Sequence, residues 1–146
     1  MSKLPIKVLC LDIEGGFGGS SRSLFESLKY IDRDSVTPVV WCRKEGPIAP
    51  RYAELGIDCE VVPEMPRATS VPRFSRNLAV FGYFVRDWLK AGTFRRDLLD
   101  ASRTFDVIHF NHEALFLLAR WFRGRSQLPT SMHIRTILRD SIFSRW

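Results

Sequence analysis

The feature that most restricts the fold is the stretch from Val8 to Phe25. An almost wholly apolar run, Val8-Leu-Cys-Leu-Asp-Ile13, leads to four glycines within five positions: Gly15, Gly16, Gly18 and Gly19. Such a run suits a strand buried on both faces of a sheet. Glycines permit tight turning, positive φ and close backbone approach. Leu24, Phe25, Leu28 and Ile31 then recur at helical spacing, with Arg22, Glu26 and Lys29 on the other face and Ser20 placed as N-cap. The stretch predicts a strand, a glycine turn and a helix N-terminus. That arrangement aims backbone N–H groups and the positive helix end at one point, which suits a phosphate or another anion.

The pattern then repeats with variations. Val36–Cys42 reads as a second buried strand, with Pro38 near its start. Gly46-Pro47 opens a short helix carrying Ile48, Tyr52 and Leu55, and Gly56 ends it. Ile57, Cys59 and Val61 alternate with Asp58 and Glu60, as in a strand near a sheet edge. Pro63 to Pro72 reads as a loop. Two helical patterns follow, 74–90 and 93–103, parted by Gly92. Asp106–Phe110 is a fourth strand, Ala114–Phe122 a helix ended by Gly124, and Leu128–Ile134 a fifth strand. Alternating strands and helices predict one α/β domain over residues 1–146, a mostly parallel sheet with helices on both faces. The length of 146 residues and the 45% hydrophobic fraction support one such core. Ligands of such sheets bind beyond the strands' carboxyl ends, where the glycine turn, His109–Glu113 and His133–Arg135 gather.

Composition narrows the chemistry. Between Arg67 and Arg125, eleven Lys or Arg accompany five Asp or Glu, so this segment holds the whole net charge of +6. It favours anionic partners. No nucleic-acid motif accompanies the charge, so no nucleic-acid partner is expected. Cys10, Cys42 and Cys59 lie in apolar runs without metal-ligand spacing, and read as small buried hydrophobes in a reducing compartment. No metal and no resident cofactor is expected. The N-terminus carries no signal-peptide pattern, and no apolar run is long enough to span a membrane.

Two phosphate-binding motifs fail at the glycine turn. The dinucleotide pattern G-x-G-x-x-G started at Gly16 meets Ser21 where the last glycine belongs. The second strand runs into Arg43 and Lys44 rather than an acid for a ribose hydroxyl, which disfavours a nicotinamide or flavin oxidoreductase. No Gly-Lys-Ser/Thr follows, so the P-loop is absent.

The turn Gly15-Gly-Phe-Gly-Gly19 with Ser-Arg-Ser-Leu beyond it resembles the N-terminal, acceptor-side domain of family 4 glycosyltransferases of the GT-B fold. Gly46-Pro47 through Leu55-Gly-Ile57, Phe105-Asp-Val-Ile-His109 and His133-Ile-Arg135 resemble further family stretches in the same order. The resemblance spans most of the chain apart from residues 65–103. It implies a Rossmann-like half of a two-domain enzyme that moves a sugar, with retention, from a nucleotide-sugar donor to a saccharide or lipid-linked acceptor, as in polysaccharide biosynthesis. It also implies that the donor is held mainly by a C-terminal domain with an E-x7-E element. The chain stops before that domain, so transfer by this polypeptide alone is not expected.

The resemblance distributes roles along the sheet edge. Gly15, Gly16, Gly18 and Gly19 form the donor-phosphate loop. Asn111 and His112 are the catalytic candidates, with Asn111 where many relatives carry a second histidine. His133, Arg135 and Glu113 are acceptor-binding candidates. Glu113 also reads as a first-turn acid complementing a helix dipole, Arg135 as a solvated side chain, and His109 as a core histidine. The basic aromatic segment at about 74–103 offers Arg76, Phe81, Phe84, Arg86, Trp88, Lys90, Arg95 and Arg96 to an anionic membrane surface, or packs its apolar stripe on protein. The expected location is the cytoplasm, with peripheral attachment to the membrane's cytoplasmic face. The alternative to an enzyme half is a non-enzymatic Rossmann-like module that binds a membrane or a protein through this segment.

Overall fold

The computed structural model describes residues 4–67 and 78–134, apart from the side chains of Leu78 and Val80. In chain order the elements are β1 (Ile6–Asp12), α1 (Gly19–Lys29), β2 (Val36–Cys42), α2 (Ile48–Glu54), β3 (Asp58–Val61), α3 (Leu78–Lys90), α4 (Gly92–Ala101), β4 (Val107–Phe110), a 3₁₀ turn (Glu113–Leu115), α5 (Phe116–Arg123) and β5 (Thr130–Met132). The five strands form one sheet in the order β3-β2-β1-β4-β5. Every neighbouring pair is parallel. The fold is α/β and Rossmann-like, as the alternation predicts.

Central strands bury both faces. Leu9 and Leu11 of β1 face one apolar cluster with Phe94 and Leu98 of α4, Ile108 and Phe110 of β4, and Leu118 and Phe122 of α5. Cys10 faces a second cluster with Leu24, Phe25 and Leu28 of α1, Val40 and Cys42 of β2, and Ile48 and Tyr52 of α2. Period-two alternation thus sends one strand's side chains to two different helix layers. Cys42 and Cys59 lie beside each other with sulfurs 3.6 Å apart, both unbridged.

Pro38 sits inside β2, opposite Val8 of β1. β3 pairs only with Val39–Cys42, so the missing N–H lies beyond the reach of that neighbour. β3 is the sheet edge that its alternation predicts. Gly56 ends α2 in the left-handed region at φ 66°, and Ile57 N–H returns to the Tyr52 carbonyl.

Three local expectations change. α1 begins at Gly19 with Gly18 as N-cap, so Ser20 lies inside the helix and caps nothing. The break between α3 and α4 falls on buried Ala91, with Gly92 already helical. The stretch after β4 enters through a 3₁₀ turn before α5. Ser102 and Thr104 hydroxyls bond the Leu99 and Ala101 carbonyls at the end of α4, the Ala101 carbonyl also accepting the Thr104 and Phe105 N–H groups.

Phe110 is wholly buried, with its ring 6.3 Å from that of Phe122. Phe110→Ala should cost about 3–5 kcal/mol, a large share of a small domain's stability. Urea denaturation should show the lost midpoint. Gly56→Ala should cost only about 1 kcal/mol, from the left-handed backbone.

Candidate functional site

The strand order places a topological switch between β1 and β4, where crossovers leave the sheet in opposite directions. Parallel α/β sheets open a ligand crevice at that point. Asp12 ends β1 and Asn111 follows β4 directly. Asn111 N–H donates to the Leu11 carbonyl, and its side-chain amide donates to Asp12 Oδ1 at 3.3 Å and to the Ser20 carbonyl at 3.2 Å. One carboxamide thus ties β1, β4 and the first turn of α1 together.

Asn111 and Asp12 are both 0% exposed. Asn111, a catalytic candidate in the sequence, holds its amide inside the protein, where it fixes the turn. Burial raises the pKa of the Asp12 carboxyl, a shift that Ser21, Asn111 and the backbone at Glu14 oppose by favouring the charged form. The Ser21 hydroxyl approaches the carboxylate without full hydrogen-bond geometry, and Asp12 Oδ2 stays unpartnered.

The glycines divide into two kinds. A Cβ on Gly15 would lie 2.0 Å from the Lys44 carbonyl oxygen, and one on Gly46 would lie 2.1 Å from the Gly15 carbonyl oxygen. Gly15 and Gly46 therefore pack backbone on backbone, joining the β1–α1 turn to the β2–α2 turn. Ile48 N–H reinforces the contact by donating to Gly15. Gly16, Gly18 and Gly19 instead have nothing within 4 Å of an added Cβ. Positive φ plays no part in the turn, since Gly56 is the positive-φ glycine. Phe17 anchors it, edge-on to Phe25 and 4.1 Å from the Arg51 guanidinium.

α1 opens on this turn without a side-chain cap and without an acid in its first turn. Its first N–H groups lack intrahelical partners and lie at the positive end of the helix dipole, starting beside exposed Gly18 and Gly19. Backbone donors at a helix start, reachable because no Cβ shields them, favour an oxyanion.

His112 and Glu113 stand next along the edge. His112 Nδ1 accepts from the Ala114 N–H at 3.0 Å and so caps the 3₁₀ turn. That bond makes Nδ1 the acceptor and Nε2 the protonated nitrogen. Glu113 Oε2 lies 3.6 Å from the same Nδ1, at the start of the turn, where an acid complements the local N–H groups. His109 Nδ1 meets Ser131 Oγ at 2.9 Å, and its ring is 6.4 Å from that of His133, which is exposed beyond β5. Arg135 and Arg76 lie outside the described residues.

The basic aromatic segment splits across α3 and α4. On α3, Phe81 is 49% exposed and Leu89 70%. Arg86, Lys90 and Arg96 are exposed, and Phe84 is half-buried. Trp88 turns toward the protein and meets Trp121 edge-on, with the Arg95 guanidinium 4.6 Å from its ring. Burial, then the neighbouring Arg125, lowers the pKa of Arg95. Among the described residues, no helix is long and apolar enough to cross a membrane.

Fold and site together define an α/β Rossmann-like domain with an open glycine turn at its switch point. The fold is similar to Anabaena HepE solved in complex with UDP, at TM-score 0.62 and 19% identity over 96% of this chain and 32% of that one. It is similar to HepE in complex with UDP and glucose at TM-score 0.61 and 19% identity, over 92% of this chain and 31% of that one. It is also similar to HepE in complex with UDP-glucose at TM-score 0.61 and 18% identity, over 92% and 30%. The chain spans about a third of the length of these HepE chains. No family model and no curated protein sequence matches it.

Two outcomes check the site. Gly15→Ala should destabilise by about 1–3 kcal/mol through overpacking against fixed backbone, while Gly16→Ala should be nearly neutral; paired urea titrations separate them. The second concerns pH. Because the folded-state pKa of Asp12 lies above its ordinary 3.8, the native state binds more protons, and stability should fall as pH rises through and above that value. Asp12→Asn should flatten this slope in denaturation midpoints measured from pH 3 to 8.

Proposed function

We propose that the chain is the acceptor-side half of a nucleotide-sugar-dependent glycosyltransferase of the GT-B, family 4 type. It moves a sugar with retention to a saccharide or lipid-linked acceptor. The observation that carries this reading is the uncapped N-terminus of α1 at the switch point, fronted by Gly16, Gly18 and Gly19 with open space above them. The likeness in fold to HepE structures holding UDP and UDP-glucose adds support.

In transfer, the bond from the sugar's anomeric carbon to the oxygen of the donor diphosphate breaks, a bond to the acceptor oxygen forms, and the acceptor hydroxyl's proton passes to the departing diphosphate. Negative charge grows on the departing diphosphate. Preorganised N–H groups at the turn stabilise that charge where it develops. Asn111 acts as a positioning residue, holding the turn through Asp12 and Ser20. His112 Nε2–H, Glu113 and His133 line the approach beside it, and Arg135 follows His133 in sequence. The donor's base and sugar are held mainly by a second domain of the enzyme.

Millimolar UDP should shift the backbone amide resonances of Gly16 to Ser21, since a site built from backbone donors alone holds its ligand at about the millimolar level. Gly18→Val should abolish the shifts without unfolding, because Gly18 has φ −77° and open space at its Cβ. Amides unmoved at about 10 mM UDP would overturn the reading.

A second reading concerns the exposed side chains of α3. Phe81, Tyr83 and Leu89 are at least 49% exposed on a helix that also presents Arg86 and Lys90. Amphipathic basic helices with exposed aromatics bind anionic bilayers. Vesicles containing phosphatidylglycerol should carry the chain in flotation, and Phe81→Ser with Leu89→Ser should release it. Flotation that persists in the double variant would refute this surface.

A further inference from the structure

A second basic concavity opens at the same end of the sheet, on the far side of β2 from α1. It is a cavity of about 170 Å³ lined by Arg43, Arg67, Tyr83, Phe84, Arg86 and Asp87. That is several times the roughly 30 Å³ share of one liquid water. Three guanidinium groups against one carboxylate leave the lining at +2.

The arginines come from three separate parts of the fold. Arg43 follows β2, and its N–H donates to the Asp12 carbonyl, so its backbone is continuous with the strand ends that carry the glycine turn. Its Nε donates to the Met65 carbonyl at 2.7 Å, and one terminal nitrogen lies 3.6 Å from Asp87. These contacts hold the guanidinium on two sides, with the side chain only 17% exposed. Arg67 follows the loop after β3, and Arg86 lies on α3 with its guanidinium 5.2 Å from the Tyr83 ring. Asp87 neutralises one cation at most. With Arg43 paired to Asp87, Arg67 and Arg86 supply the net positive charge of a lining that encloses space for a polyatomic ion.

We infer that this cavity binds the phosphate group of a phosphate ester, dianionic to match the +2 lining. The inference rests on the glycosyltransferase reading for one part only: if that reading holds, the ester is the acceptor, and the enzyme's acceptors carry a phosphate. The cavity and the glycine turn then hold two different anions on one edge, acceptor phosphate at Arg43, Arg67 and Arg86 and donor diphosphate at Gly16, Gly18 and Gly19. A phosphate ester reaches the cavity either as a soluble compound or as a lipid headgroup, and the chemistry of recognition is the same.

The test titrates the full chain with glycerol 3-phosphate, with methyl sulfate as a monoanion of similar shape, and with vesicles of phosphatidylcholine containing phosphatidic acid. The readout is the arginine Nε–H resonances together with the amides of Gly16–Ser21. Glycerol 3-phosphate should shift Arg43 and bind at least about fivefold more tightly than methyl sulfate, since charge-assisted contacts scale with ligand charge. Arg67→Gln with Arg86→Gln should weaken it about tenfold per arginine removed. Arg86 is exposed and Arg67 half-buried, so this double variant keeps the fold. Vesicle binding lost in this double variant but kept by Phe81→Ser with Leu89→Ser supports the lipid source, and glycerol 3-phosphate binding lost in it supports the soluble one.

Equal affinity for methyl sulfate overturns the inference. So does binding of both phosphate probes that is unchanged in the double variant, or no response to either. Failure of the nucleotide reading is separate. Arginine shifts with glycerol 3-phosphate, alongside turn amides unmoved by UDP, would leave a phosphate site standing while removing its acceptor role.

Discussion

The structure depends on the meeting of β1 and β4 at their carboxyl ends, and one buried amide secures it. Asn111 donates to Asp12 and to the Ser20 carbonyl from a position with no solvent exposure. In a low-dielectric interior such bonds are strong, and breaking them strands polar groups at high cost. The first helical turn of α1 therefore has a fixed height above the sheet. The glycine turn between Asp12 and Gly19 is short and held at both ends. In its middle, Gly15 lies against the backbone of Lys44 and Phe17 lies against Arg51. A loop with that many attachments is preorganised, which a site made only of backbone N–H groups requires.

Much of this edge is legible in sequence wherever the signal is local. Val36–Cys42 has the same bounds in pattern and structure, because an apolar run between turn residues has one reading. Gly56 is a C-terminal stop in both, since the left-handed backbone there asks for glycine. The roles that escape the sequence depend on distant partners. Gly15 resembles its three neighbours until Lys44 and Gly46 are placed against it. Asn111 looks like a crevice residue until Asp12, 99 positions earlier, is found beneath it. α3 is apolar over a wide arc, so spacing alone does not say that Trp88 packs on Trp121 while Phe81, one heptad earlier on the same face, and Leu89 stay exposed. The Arg43, Arg67 and Arg86 cavity has no sequence motif, because three arginines from three elements meet only in the fold.

The two anion-attracting features differ in kind, and the difference bears on what each can do. The turn offers partial charges from N–H groups, with a buried carboxylate directly behind them. Burial raises the pKa of Asp12 and the Asn111 amide beside it favours the charged form, so this carboxyl adds no attraction for an anion at the turn. Such a site guides and orients an anion more than it captures one. Full positive charges lie on the other side of β2, where Arg43 is held by Met65 and Asp87. Capture belongs there. Backbone donors orient an anion by geometry, whereas guanidinium groups add charge-assisted bonds, so the two features differ in strength as well as in place.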